Sequence, residues 1–110
     1  MEKSAKVTVL NRPEDNISQA IRDKELDRIL KLHQLWLDTE GKEGERGELC
    51  GFNLTGVKLA NVNLPYANLR GAIWHQAKLV GANFAHANLQ GVDFKRAALM
   101  HANLRGANLQ

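Results

Sequence analysis

An unbroken five-residue repeat fills the second half of the chain and constrains its fold more than any other feature. A large apolar residue occupies every fifth position, and a smaller one, usually alanine, lies two positions before it. The large residues are Leu54, Leu59, Leu64, Leu69, Trp74, Leu79, Phe84, Leu89, Phe94, Leu99, Leu104 and Leu109, and Leu49 extends the series backwards. A period of five fits neither the 3.6-residue turn of an α-helix nor the two-residue alternation of a strand. The chain must therefore turn once every five residues around a common core.

The residues between the apolar positions predict turns and a four-sided coil. Asn or Asp usually precedes the large residue, and Gly often stands two places after it, where it suits a turn with positive φ. With four repeats per coil, residues twenty apart stack, so that Leu69 lies between Leu49 and Leu89 at about 4.8 Å per coil. Stacking also predicts ladders in which the side-chain amides of asparagines in successive coils hydrogen-bond to one another. The two predicted ladders are Asn63, Asn83, Asn103 and Asn68, Asn88, Asn108.

The Ala-Asn-Leu-x-Gly pattern over residues 49–110 resembles the repeats of the pentapeptide repeat family. The resemblance implies a mainly β fold, a right-handed quadrilateral parallel β-helix that forms about three coils here. The departures from the pattern are Trp74 at a centre and Lys58, Ile73, Lys78 and Ala98 where Asn or Asp is usual. We expect Trp74 to distort one coil or to pack beside Phe94 without breaking the helix. Pro65 is expected in a turn, where its missing N–H matters least.

The first 48 residues lack the repeat and are predicted to contain one α-helix. Over residues 24–37, one helical face is formed by Leu26, Ile29, Leu30, His33 and Leu37, with Ser18 or Asp23 as a start signal. The chain divides into a tail or short strand (1–16), a capping helix (17–40), a Gly-rich connector (41–48) and the β-helix (49–110). Similarity to the lead-in segments of the family implies that the helix covers the first coil, whose open end needs a cap. The alternative is a helix that binds a partner.

No catalytic, cofactor-binding or metal-ligating residue is predicted, and the chain is expected not to be an enzyme. We expect His33 to pack at the cap, whereas His75, His86 and His101 face outward on different sides and cannot share a metal. Cys50 is the only cysteine, which excludes an internal disulfide, and is interpreted as structural or incidental. Asp93 is the only carboxylate within the repeats, which excludes paired-carboxylate catalysis there. Nucleotide-binding and zinc motifs are also missing from the sequence.

The charge is unevenly divided along the chain and bears on the choice of partner. Residues 1–45 carry eight basic and ten acidic side chains, whereas residues 46–110 carry seven basic and two acidic ones. Some members of the family imitate acidic duplex DNA against gyrase, and a basic repeat region does not fit that role. Because the repeats carry no aromatic platform, nucleic acid is not the expected partner. No apolar run approaches the ~20 residues of a membrane span, and no signal peptide is evident, so we expect a cytoplasmic protein without membrane contact.

The sequence therefore predicts a structural or interaction module, a rigid β-helical scaffold whose flat faces meet a protein partner. The alternative is a gyrase-related or nucleic-acid-associated binding protein. The repeats run to Gln110 with no terminal helix or proline after them. This edge predicts a homo-oligomer formed through the C-terminal coil, or else a piece of a longer solenoid.

Overall fold

The computed structural model describes the backbone of residues 16–110 and the side-chain environments from residue 19 onward. Within this range one helix, α1 (Asn16–Asp38), precedes the repeats. A hydrogen-bonded turn follows α1, in which the N–H of Gly41 donates to Trp36 O at 2.8 Å. The tail or strand predicted over residues 1–16 lies outside the described residues except for Asn16.

Backbone pairing gives a coil of twenty residues with four sides. Nine parallel bridges join residues twenty apart, from Glu48 with Asn68 to Asn88 with Asn108. Between bridges, a turn recurs every five residues, in which an N–H donates to the carbonyl three residues earlier. Each side is therefore a single bridge rather than an extended strand. The first bridge uses Glu48, so the coil begins inside the range predicted for the connector.

Every corner of the coil places one residue at positive φ, two positions after the large apolar residue. Six of these residues are glycines, and the others are Asn61, Tyr66, Gln76, His86, Arg96 and His101, with φ from 59° to 67°. A positive φ at the third residue is the signature of a type II turn, which favours proline at the second. Pro65 occupies that second position in the turn closed by Ala67 N and Leu64 O at 3.3 Å, as predicted.

The asparagines mostly bond within their own turn and not with the next coil. Their side-chain oxygen accepts the N–H two residues later, as it does at Asn53, Asn68, Asn83, Asn88, Asn103 and Asn108, and as the Asp93 carboxylate does. Pro65 offers no N–H to Asn63, whose Oδ1 instead accepts from Asn83 Nδ2 at 3.2 Å. In the described part of the chain this is the one amide–amide bond of the predicted ladders. The ladder prediction is therefore wrong for most of its members, because the local N–H competes for the amide oxygen.

The large residues fill the interior of the coil. Leu49, Leu54, Leu64, Leu69, Trp74, Leu79 and Phe84 are fully buried. Trp74 stacks on Phe94 with ring centroids 6.4 Å apart and meets Phe84 edge-on at 5.7 Å. The backbone ladder continues through Trp74, whose N–H donates to Asp93 O at 2.8 Å. Trp74 therefore packs beside Phe94 without breaking the coil, as predicted, although its buried Nε1 has no hydrogen-bond partner.

Two side chains of α1 donate hydrogen bonds to turn carbonyls of the first coil. In later coils, the carbonyl of the residue after each large one accepts a backbone N–H from the preceding coil. In the first coil, Arg22 Nη1 donates to Thr55 O at 3.2 Å, and His33 Nε2 donates to Pro65 O at 2.8 Å. No backbone N–H of the described residues reaches these two carbonyls, and a part-buried carbonyl without a partner is costly.

Candidate interaction surfaces

His33 is a structural anchor between α1 and the first coil. Its ring is fully buried, its Nδ1 accepts the N–H of Gly47 at 2.8 Å, and its Nε2 donates to Pro65 O. These two backbone partners therefore favour the neutral ring that carries its proton on Nε2. Burial lowers the pKa of His33, the bond to Pro65 partly opposes this, and the positive charge of Arg46 adds to it. Both ring nitrogens are occupied, which confirms that His33 packs at the helix–coil junction, as predicted.

The other histidines lie at separate corners of the coil. His75 Nε2 and Asp93 Oδ2 are 2.7 Å apart across adjacent coils, and this bond is the main reason why the pKa of Asp93 is lowered. His101 is exposed, in the column of Asn61 and Gly81. In residues 16–110 no three metal-binding side chains come together. Cys50 is exposed and unpaired.

Tyr66 and His86 form an outward aromatic stack that we did not predict. They are twenty residues apart in one corner column, with ring centroids 5.1 Å apart and planes inclined by 14°. Tyr66 is 50% exposed. Gly106 follows in the same column and leaves room for the His86 ring, which a Cβ at Gly106 would meet. The expectation that the repeats carry no aromatic platform is thus wrong at this corner, and the twenty-residue spacing was the signal that could have revealed it.

A small cleft lies where the C-terminal end of α1 meets this corner. It has a volume of about 260 Å³ and is lined by Trp36, Leu37, Glu40, Gly41 and Tyr66. Trp36 is half-buried and stacks on His33, with ring centroids 5.5 Å apart and planes inclined by 25°. The cleft therefore combines two aromatic rings with one carboxylate.

A larger groove of about 410 Å³ runs between α1 and the side of the first coil, where Arg22, Asp23, Leu26, Val57 and Lys58 are among its lining residues. Arg22 is only 5% exposed, and its guanidinium pairs with Asp23 at 3.0 Å and donates to Thr55 O. Its charge is therefore engaged by groups of this chain. Sequence reasoning missed this role, because nothing in the pattern distinguishes Arg22 from Arg28, the exposed arginine of the same helix.

The basic side chains of the repeats are distributed over different sides. Lys58 and Lys78 are bridged neighbours and both are exposed, which agrees with their predicted stacking. The exposed basic residues at the corners are Arg70, Lys95, Arg96 and Arg105.

Within residues 16–110 no helix combines the length and the apolar character that a membrane span requires.

The coil formed by residues 91–110 exposes apolar surface. Met100 is 68% exposed and Leu109 is 58% exposed. Phe94, Leu99 and Leu104 are only partly buried, whereas the equivalent residues one coil earlier are fully buried. In this coil the large apolar residues, which point into the core in earlier coils, are therefore partly open to solvent.

One family profile and two solved structures are similar to this chain. The profile of pentapeptide repeats matches residues 48–73 and 77–110 in eight copies. A pentapeptide repeat protein from the cyanobacterium Cyanothece 51142 is 26% identical over 59% of this chain and 55% of its own chain, with a TM-score of 0.28. Another from Nostoc Pcc 7120 is 33% identical over 73% of this chain and 74% of its own, with a TM-score of 0.27. The chain thus spans about half the length of the Cyanothece protein. No curated protein matches it.

Proposed function

The chain belongs to the pentapeptide repeat family, and on that premise we propose that it is a non-enzymatic scaffold that presents the flat sides of a β-helix to a protein partner. The family has a right-handed β-helix and is of generally unknown function. The finer architecture that we propose is quadrilateral, with about three coils and with α1 as the cap of the first. The donors that Arg22 and His33 supply to the first coil support the capping role.

The observation that carries this proposal is the fixed backbone beneath every outward side chain. Bridges hold the middle of each side, and twelve turn hydrogen bonds hold the corners. A surface that is already ordered loses little conformational entropy when it binds, which favours recognition by a rigid face. We also propose a cytoplasmic location for this scaffold.

Charge changes on each side of the coil test which face a partner uses. A partner isolated from a lysate is purified, and its affinity is measured by calorimetry for four variants, one per side: Asn88→Arg, Ile73→Arg, Lys78→Glu and Asn83→Arg. We expect one variant to weaken binding by about tenfold or more, and the other three to serve as its controls. Equal affinity for all four would contradict recognition by a flat side. A salt-sensitive shift of duplex DNA that Lys78→Glu removes would instead favour the nucleic-acid alternative.

We further propose that two copies associate through the coil of residues 91–110. Its exposed Met100 and Leu109, and a backbone edge that no described residue pairs with, resemble the sheet edges through which chains pair. Light scattering is expected to show a dimer at micromolar concentrations, and Leu109→Asp is expected to weaken it by about tenfold or more. Ala60→Asp, in the column of Met100 but in the first coil, is the matched control. A monomer at every concentration tested would overturn this part.

A further inference from the structure

We propose that the cleft between Trp36 and Tyr66 binds a basic side chain, lysine or arginine, of a protein partner. This inference rests on the proposed scaffold function and adds to it the chemistry of one contact. The cleft is separate from the flat sides of the coil, because it lies between the end of α1 and one corner. It can therefore be tested independently of them.

Both aromatic walls of the cleft are held in position by a stacked histidine. His33, itself bonded to Gly47 and Pro65, stacks on Trp36, and His86 stacks on Tyr66. The coil fixes the backbone beneath Tyr66 as well, since its N–H donates to Ala85 O at 2.9 Å. Because the walls of the cleft are already ordered, they lose little conformational entropy when a ligand binds.

The charge around the cleft favours a cation. The exposed carboxylate of Glu40 lines it, and in residues 16–110 no hydrogen bond or ion pair involves that carboxylate. The last turn of α1 contains no basic residue, although the C-terminal end of a helix carries partial negative charge that attracts cations. Lys42 follows in the chain but does not line the cleft. Among the described residues, no cation therefore occupies the cleft beside Glu40, and its carboxylate can pair with a cation from a partner.

The aromatic and apolar lining favours a cation on a hydrocarbon stem over a hydrated metal ion. The faces of Trp and Tyr attract ammonium and guanidinium groups, and more strongly where water is excluded. Leu37 adds apolar surface against which the methylene groups of lysine or arginine can pack. The volume of about 260 Å³ suits one such side chain rather than a folded segment.

A short peptide tests the proposal directly. The full chain is titrated with acetyl-Gly-Gly-Arg-Gly-Gly-amide, and binding is followed by tryptophan fluorescence. A change in fluorescence on adding peptide is assigned to Trp36, because Trp74 is fully buried. We expect a saturable change, and at least about fivefold weaker binding when glutamine replaces the arginine of the peptide. Binding that is equal for the two peptides would overturn the proposal.

Two variants and a matched control locate the contact on the chain. Glu40→Gln and Tyr66→Asn are each expected to weaken the arginine peptide by about fivefold. Asparagine is chosen because Asn61 takes φ 63° at the equivalent corner, so the turn should survive. Glu43→Gln, three residues after Glu40 and outside the cleft, should leave the affinity unchanged.

The remaining outcomes separate this inference from the scaffold proposal. If the peptide does not bind while a partner still uses a flat side, the cleft inference alone fails. If the peptide binds but all four side variants keep their partner affinity, the flat-side proposal alone fails. Choline that binds more tightly than the arginine peptide would assign the cleft to a small organic cation and overturn its assignment to a protein side chain.

Discussion

Leu89→Asp is expected to unfold the repeat region. Leu89 is 2% exposed, and its N–H donates to Asn108 O at 2.8 Å, so the side chain cannot leave the core without breaking the ladder. An unpaired buried carboxylate costs several kcal/mol. A domain of this size has a total stability of about 5–15 kcal/mol. Circular dichroism should therefore lose the β signal, and chemical denaturation should show no cooperative transition.

Asn88→Asp is the matched control for this substitution. It introduces the same charge one residue earlier, at a bridge position where the side-chain oxygen accepts the N–H two residues later. The next repeat already has Asp93 at the equivalent position, with the same local bond. Its stability should stay within about 0.5 kcal/mol of the original chain. A Leu89→Asp variant that keeps the original spectrum and unfolding midpoint would show that the large residues do not point inward.

The coil could be predicted from the sequence because its determinants are periodic. A spacing of five fixes the turn, and the match of residues twenty apart fixes which residues become neighbours, as in the bridge of Glu48 with Asn68. The same reasoning placed Trp74 beside Phe94. The stack of Tyr66 on His86 follows the same rule and could have been found by comparing corner residues.

The interaction surfaces could not be predicted in the same way, because they depend on where α1 lies against the coil. Residues 16–47 have no repeat that sets this position, so neither the burial of Arg22 nor the cleft that Trp36 and Tyr66 both line follows from spacing. The asparagine ladders failed for a different reason. Coil stacking brings the amides near one another, but it does not decide between a bond to the next coil and one to the local N–H, as Asn88 illustrates.

His33→Leu is expected to cost about 2–4 kcal/mol of stability. The substitution leaves the N–H of Gly47 and the carbonyl of Pro65 without their ring partner in a buried site. His33→Gln retains one donor and one acceptor, so it should cost less than His33→Leu. Chemical denaturation at pH 8 measures both. Equal losses in the two variants would mean that the ring contributes by packing on Trp36 and not by its hydrogen bonds.

The same residue should make stability depend on pH. The folded pKa of His33 is lowered, so the unfolded chain binds the proton more readily, and the stabilisation is present above about pH 6.5 and lost as pH falls through the folded pKa. The original chain should therefore lose stability between pH 7 and pH 5, and His33→Gln should show a shallower slope in that window. His75→Gln, at an exposed pair, controls for the other histidines. An unchanged slope in His33→Gln would show that the neutral ring is not what holds α1 on the first coil, and the proposed cap would then rest on Arg22 and the apolar face of the helix.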